Sequence, residues 1–248
     1  KNDVTYDNSL IKLYKAFCPG PITFVLKKKS GSKISKVATV GKKTVAIRFP
    51  KHKVAQNILK LIKKPLAAPS ANISTKLSPT CAKDVYEEFG SKVKLVLDGG
   101  KSKIGLESTI INLTGKPSIL RPGKITKEKI EKILKKKIVV KKKFKTVNAP
   151  GQLKLHYSPG IPVEMNKKNV SKQQALIGFG KKFKIGKNYF NLSKKGNLKE
   201  AANNLYKTMR EIKKRRFKSI GVIKIPNKDI GYAINDRLKK ASNKWLLK

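Results

Sequence analysis

Short β-rich runs alternate with stretches of helical periodicity along almost the whole chain, and this alternation constrains the fold more than any other feature of the sequence. Ile22-Thr23-Phe24-Val25-Leu26 and Thr44-Val45-Ala46-Ile47-Arg48 read as strands, because β-branched and aromatic residues suit a pleated, half-buried surface. A helix is predicted over about 9–17, with caps offered by Asp7-Asn8-Ser9 and a stop at Cys18-Pro19-Gly20-Pro21. A second, at about 52–63, puts Val54, Ile58, Leu61 and Ile62 on one face. Apolar Pro65-Leu66-Ala67-Ala68-Pro69 then runs into a polar loop at 70–80, and Thr80 is expected to cap a helix that Gly90 ends. Strands near 93–97, 108–113 and 118–120 and a helix near 126–136 complete this part. Residues 137–160 change character, turning Lys-rich and then carrying Ala149-Pro150-Gly151 and Ser158-Pro159-Gly160, as a linker does. Beyond it the order is strand-like 175–179, strand-like 188–192, a helix at about 198–215, a strand at 219–225 and a helix at about 231–246. That order predicts a small α/β domain with parallel pairing. The expected organisation is therefore a first domain over 1–137, a linker over 138–160 and a C-terminal α/β domain over 161–248.

Composition narrows the function classes. The 248 residues are 39% hydrophobic, enough for a core, and no run approaches the roughly 20 apolar residues that span a bilayer. Cys18 and Cys81 are too few and too far apart for a disulfide framework, so a reducing cytoplasm is the expected setting. The net charge is +46, yet of the 60 cations only Arg48, Arg121, Arg210, Arg215, Arg216 and Arg237 are arginines. Lysine spread along the whole chain reads as a solvated surface from AT-biased coding rather than a nucleic-acid face, which favours arginine's planar fork. A charge this high will still adhere to polyanions at low salt. Between Asp7 and Asp84 there is no acidic residue, as suits a site for an anionic ligand.

Candidate chemistry gathers in that region and just beyond it. Pro69-Ser70-Ala71-Asn72-Ile73-Ser74 and Ser78-Pro79-Thr80 supply small hydroxyl and amide side chains and backbone N–H groups that can cradle phosphate without adding negative charge. Arg48 at a strand end and Arg121 in Leu120-Arg121-Pro122-Gly123 keep a guanidinium where the chain otherwise uses lysine, as bidentate contact with a carboxylate or phosphate requires. Ser108 and Thr109 enter a strand and can present hydroxyls to a ligand. His52 and His156 are the two histidines, with no cysteine or carboxylate cluster near them, so no metal site formed by protein side chains is expected. There is no GxxxxGK[ST], GxSxG or GxGxxG motif, which excludes P-loop, hydrolase-elbow and Rossmann-fingerprint chemistry by sequence.

In combination these segments resemble the YrdC-like family. Lys15-Ala16-Phe17-Cys18-Pro19-Gly20-Pro21-Ile22-Thr23 resembles its WPGPxT element, and residues 65–74 with Ser78-Pro79-Thr80 resemble its PLAAPSANxSGxxSPT signature. Asp98-Gly99-Gly100, Gly105-Leu106-Glu107-Ser108-Thr109 and Leu120-Arg121-Pro122-Gly123 match its next blocks in order. Residues 150–159 resemble the PGMKYxHYAP linker of the long form, and Ala233-Ile234-Asn235-Asp236-Arg237-Leu238 the end of its C-terminal domain. The chain is thus similar, over nearly its whole length, to long-form threonylcarbamoyl-AMP synthases.

The resemblance implies a twisted mixed sheet with flanking helices around a basic groove, followed by a small Rossmann-like α/β domain. It implies a nucleotidyltransferase that joins L-threonine, bicarbonate or CO2, and ATP into threonylcarbamoyl-AMP and pyrophosphate, with Mg2+ on the phosphates, for the t6A modification at position 37 of tRNA. No residue acts as a nucleophile. By position, Arg48, Ala68 and Ser108 are expected at threonine, and Thr44, Ser70, Asn72, Ser78, Arg121 and Tyr157 at ATP, with Tyr157 as a linker lid. The tRNA threonylcarbamoyl-transfer machinery is the expected downstream partner, with weak RNA binding and no membrane. Thr75 stands where the family signature has glycine, and is expected to stiffen its loop. The first residue is Lys1 and the first methionine Met165, and the family's N-terminal Lys-x-Arg element and upstream threonine-site residues find no counterpart; the chain as given is expected to be part of a longer protein and inactive by itself. Two other readings stand beside the synthase. One is a double-stranded RNA or tRNA binder without catalysis, against which the basic residues show no interleaved aromatics. The other is a carbamoyl-transfer domain resembling those of hydrogenase maturation proteins, against which the linker and C-terminal domain argue.

Overall fold

The computed structural model describes residues 2–141, 156–184 and 186–242. Residues 142–155 of the expected linker and 243–246 of the expected last helix lie outside that set. The chain divides into two compact units, Lys1–Pro69 with Glu107–Gln152 and Ser70–Leu106 with Leu153–Lys248.

The first unit starts with β1 (Val4–Thr5) and α1 (Asn8–Phe17). Asp7 caps α1 as its sequence predicts, its carboxylate accepting the N–H groups of Ser9 and Leu10. β2 (Ile22–Lys28) is the central strand, with Ile22, Phe24, Val25 and Leu26 all buried. Such a continuous apolar run is what a strand covered on both faces requires. A short α2 (Lys36–Thr39), not foreseen in the sequence, precedes β3 (Thr44–Arg48), which pairs antiparallel with β2 from Thr23↔Arg48 to Lys27↔Thr44. α3 (Lys53–Ile62) forms where its periodicity predicts, but Leu61 on the expected apolar face is 82% exposed.

The chain now enters the second unit, which takes α4 (Ala82–Phe89). The strand expected at 93–97 does not form, and Leu95 is 74% exposed. Alternating Val93, Leu95 and Leu97 supply strand propensity, but a strand also needs a neighbouring edge to bond, and residues 93–97 pair with none. Nor does Thr80 cap α4. Cys81 occupies the cap position without a side-chain bond, while Asp84 in the first turn reaches back to Thr80.

Returning to the first unit, β4 (Thr109–Asn112) pairs parallel with β2 and antiparallel with β5 (Ser118–Arg121). α5 (Lys127–Leu134) follows, and β6 (Val139–Val140) closes the sheet, parallel to β5. The sheet order is β1-β2-β4-β5-β6 with β3 on the other side of β2, a mixed sheet as expected. Leu13 of α1 and Ile130 of α5 pack with Phe24, Ile111 and Ile119 into the core of this unit.

The rest of the second unit is β7 (Val163–Met165), β8 (Gln174–Gly178), β9 (Tyr189–Asn191), α6 (Leu198–Lys214), β10 (Ser219–Val222) and α7 (Gly231–Ser242). Its strands run in the order β7-β10-β8-β9, every pair parallel, with β10 inserted between earlier strands. This is the small Rossmann-like sheet the sequence predicts. Its core joins Ala175, Ile177, Leu205 and Met209 with Leu77 and Leu106 from the inserted 70–106 segment.

Candidate active site

In the first unit, the ends of β3, β4 and β5 bring arginines and hydroxyls to one place. Arg121 lies at the end of β5 and is buried, donating from Nε to the Ser108 carbonyl at 3.0 Å and from Nη2 to the Ser108 hydroxyl at 3.1 Å. Ser108, also buried, shares a 2.7 Å hydrogen bond between its hydroxyl and that of Thr23 on β2. Arg48 is the register partner of Thr23, and its Nε donates to the Gly20 carbonyl at 3.3 Å. Two glycines allow this convergence. A Cβ on Gly20 would meet the Phe17 carbonyl at 2.1 Å, and one on Gly123 the Thr109 nitrogen at 2.6 Å, so the turn after Pro19 and the turn after Arg121 close only on glycine.

The cluster is cationic and unneutralised. Among the described residues neither Arg48 nor Arg121 has a carboxylate within ion-pair distance. Desolvation first, and then the charge of Arg121, lower the Arg48 pKa, although the side chain still reaches solvent. With the Arg121 charge beside it and no carboxylate near, Arg48 forms a site that gains when an anion arrives. Cys18, one turn away in the chain, is no nucleophile: desolvation pushes its thiol up to about 11.

In the second unit, the polar loop after Pro69 is folded on itself. Asn72 is buried and donates from Nδ2 to the Ile73 carbonyl at 2.8 Å and the Lys76 carbonyl at 3.3 Å, while its buried Oδ1 accepts nothing from the described residues. A buried acceptor without a donor is costly unless something completes it. Thr75 adopts φ 72°, the left-handed region natural to the glycine of the resembled signature, and its carbonyl accepts the Ser158 N–H at 2.8 Å. Ser78 is buried three residues further on.

The expected site residues thus fall into two sets. Arg48, Ser108 and Arg121 come together in the first unit; Asn72, Ser78 and Tyr157 are buried in the second. Thr44 lies four residues from Arg48 on β3, about 13 Å along the strand, outside the arginine cluster. Ala68 and Ser70 are exposed. Tyr157 is 1% exposed, its ring stacked 5.9 Å from Tyr206 and under the Arg237 guanidinium at 4.9 Å, so acting as a lid requires it to leave that packing.

Sequence reasoning missed Thr23, Arg210 and Asp84. Arg210 on α6 donates from Nη2 to the carbonyls of Leu77 and Ser78, each at 2.9 Å, and its Nη1 lies 3.4 Å from Asp84 Oδ2. Asp84 in turn accepts the Thr80 N–H at 2.6 Å and hydroxyl at 2.9 Å. Burial alone would raise the Asp84 pKa, but the Thr80 bonds and the Arg210 charge outweigh it and hold the carboxyl below its ordinary range.

Relatives resolve what such a chain is. Threonylcarbamoyl-AMP synthase of Pyrococcus abyssi is 37% identical to this chain over 95% of it and 74% of the relative. The chain belongs to the threonylcarbamoyl-AMP synthase family. The Bacillus subtilis synthase is 32% identical over 93% of the chain and 72% of its own length. The crystal structure of P. abyssi Sua5 complexed with L-threonine superposes with a TM-score of 0.85 at 33% identity, covering 98% of this chain and 76% of that one. Two family models match in tandem: residues 2–123 fit one described as telomere recombination, and 125–243 fit the threonylcarbamoyl-AMP synthase C-terminal domain. Both halves of the long-form synthase are therefore represented, and the family is a nucleotidyltransferase family.

Proposed function

We propose that this chain, together with the N-terminal Lys-x-Arg segment of the resembled family, joins L-threonine, bicarbonate and ATP into threonylcarbamoyl-AMP, releasing pyrophosphate and water. The threonine amine takes up CO2 from bicarbonate to give N-carboxy-threonine. A carboxylate oxygen of that carbamate then attacks the α-phosphorus, and the bond to the β-phosphate oxygen breaks. Every species is anionic or zwitterionic, and the guanidiniums of Arg48 and Arg121 beside Ser108, with no carboxylate partner among the described residues, are the observation that carries the reading. Arg48 is assigned the threonine carboxylate, with Ser108 beside it and Ala68 at its backbone. Thr44, Ser70, Asn72, Ser78, Arg121 and Tyr157 are assigned to ATP. The unpaired Oδ1 of Asn72 supports its part, since an adenine amino group or a ribose hydroxyl would supply the missing donor. Rate enhancement then comes from positioning and fixed positive charge rather than from a protein nucleophile.

Mg2+ is expected with ATP. Among the described residues no three His, Cys, Asp or Glu side chains gather where they could hold a metal, and no step is assigned to the ion. The product is an activated carbamoyl donor, and the reading places its consumer, a tRNA-modifying transferase, downstream. It places the reaction in the cytoplasm; among the described residues no helix is long and apolar enough to cross a membrane.

The test is pyrophosphate release by the chain with the family's N-terminal segment restored, with threonine and bicarbonate each left out in turn. Release that needs both is the expected result; release without threonine would overturn it.

Nucleic-acid binding has one observation in its favour as a second property. Lys168, Lys182 and Lys184 line a cavity of about 520 Å3 with Phe183 and Tyr189, whose rings lie 6.0 Å apart. That places two aromatics among the lysines, which the sequence reading had not found. Binding to this face predicts a tRNA affinity that falls in Phe183→Ala at constant salt.

A further inference from the structure

We propose that Arg210 is a positioning residue for the nucleotide loop, and that α6 thereby sets where Ser78 stands. The proposal rests on the assignment of Ser78 to ATP. It starts from an anomaly of composition: all but six of the 60 cations are lysines, yet α6 has an arginine at 210 with lysines at 207, 213 and 214. The contacts explain why. One guanidinium nitrogen donates to two successive carbonyls, Leu77 and Ser78, while the other faces Asp84. A planar fork serves both directions at once; an ammonium on a flexible stem does not hold that geometry.

The surroundings make the contact stiff. The Arg210 and Asp84 side chains are 15% and 12% exposed, so water competes little. Asp84 bonds both the N–H and the hydroxyl of Thr80, so Arg210 and Asp84 together grip Leu77, Ser78 and Thr80 on either side of Pro79. Leu77 is itself buried in the same core as Tyr206 and Met209 of α6, which fixes the loop from below. The Ser78 side chain is then aimed by a residue 132 positions away in sequence. One turn along α6, Lys214 pairs with Glu87 at 2.7 Å but is largely exposed.

Steady-state kinetics of the chain with the family's N-terminal segment restored test this by the split between the two KM values. Arg210→Lys is expected to raise KM for ATP roughly tenfold and to leave KM for threonine within about twofold, while Lys214→Ala, which opens only an exposed ion pair, changes neither. Ser78→Ala is run beside them. If Ser78→Ala weakens ATP and a folded Arg210→Lys does not, the positioning role is overturned and the nucleotide assignment stands. If Ser78→Ala leaves ATP unaffected, the nucleotide assignment itself is what fails, and the positioning role falls with it. Should Arg210→Lys lose its cooperative melting transition, Asp84→Asn takes its place, keeping the side chain's shape while removing the charge that orients the guanidinium. A folded Asp84→Asn enzyme with unchanged KM for ATP overturns the proposal; a selective rise supports it.

Discussion

Arg121 holds Ser108 by two atoms, one guanidinium nitrogen on the backbone carbonyl and another on the hydroxyl, at 3.0 and 3.1 Å. The hydroxyl is also bonded to Thr23, so its orientation is set before any ligand arrives. Arg121→Lys keeps the charge and loses the fork. It is expected to cost roughly 2 kcal/mol of stability, as for a buried charged hydrogen bond, and to lower kcat/KM by at least tenfold. Thermal melts and pyrophosphate release check the two effects separately.

Ser108→Ala removes the shared partner and leaves the buried Thr23 hydroxyl and an Arg121 N–H unsatisfied. The expected destabilisation is about 1–3 kcal/mol, with a larger rise in KM for threonine than for ATP. A double substitution with Thr23→Val should recover part of the lost stability and none of the threonine affinity.

Thr75 sits at φ 72°, a conformation that costs a β-branched residue about 1–2 kcal/mol. Glycine there regains that strain and gives back roughly 0.5–1 kcal/mol through greater freedom in the unfolded chain. Thr75→Gly is expected to raise Tm by about 1–3 °C, measured by calorimetry.

Asp84 titrates below its ordinary range in the folded chain. A depressed carboxyl contributes stability above its unfolded pKa of about 3.9 and loses it as pH falls through the folded value. The difference in Tm between the wild type and Asp84→Asn should therefore be present at neutral pH and shrink below about pH 4. A difference that stays constant to pH 2.5 would contradict the ion pair with Arg210.

Cys18 has its thiol pushed up to about 11 by burial. At pH 8 its thiolate is scarce, and iodoacetamide should label it roughly tenfold or more slowly than a free cysteine. Peptide mapping after timed alkylation reads the rate.

Much of the fold was legible because its signals are local. Asp7 at a helix start, the Pro19-Gly20-Pro21 stop, and alternating strand and helix periods each act within one turn or strand. The strand expected at 93–97 failed because its propensity was read without asking which edge would receive it. Arg48, Ser108 and Arg121 could be singled out because each marks a strand end and departs from its surroundings. Thr23 stood in the sequence only as the last residue of the WPGPxT-like element, and its role was hidden because it comes from a bond to Ser108, 85 residues later. Arg210 carried the same signal as Arg48, an arginine kept amid lysines, but no motif nearby called attention to it. Its partners are chosen by packing of distant segments, which no spacing rule reveals.

The second unit is made of two stretches of chain, with the first unit's β4, β5 and α5 threaded between them. During synthesis Leu77 and Ser78 therefore emerge long before α6 exists to receive them. The segment from Ser70 to Leu106 must wait for more than a hundred further residues before α6 is made, and its folding is tied to that helix. A protein cut at the seam between its two family halves would separate Ser78 from Arg210 permanently. A product stalled or truncated before α6 would thus carry Leu77 and Ser78 without the arginine that holds their carbonyls.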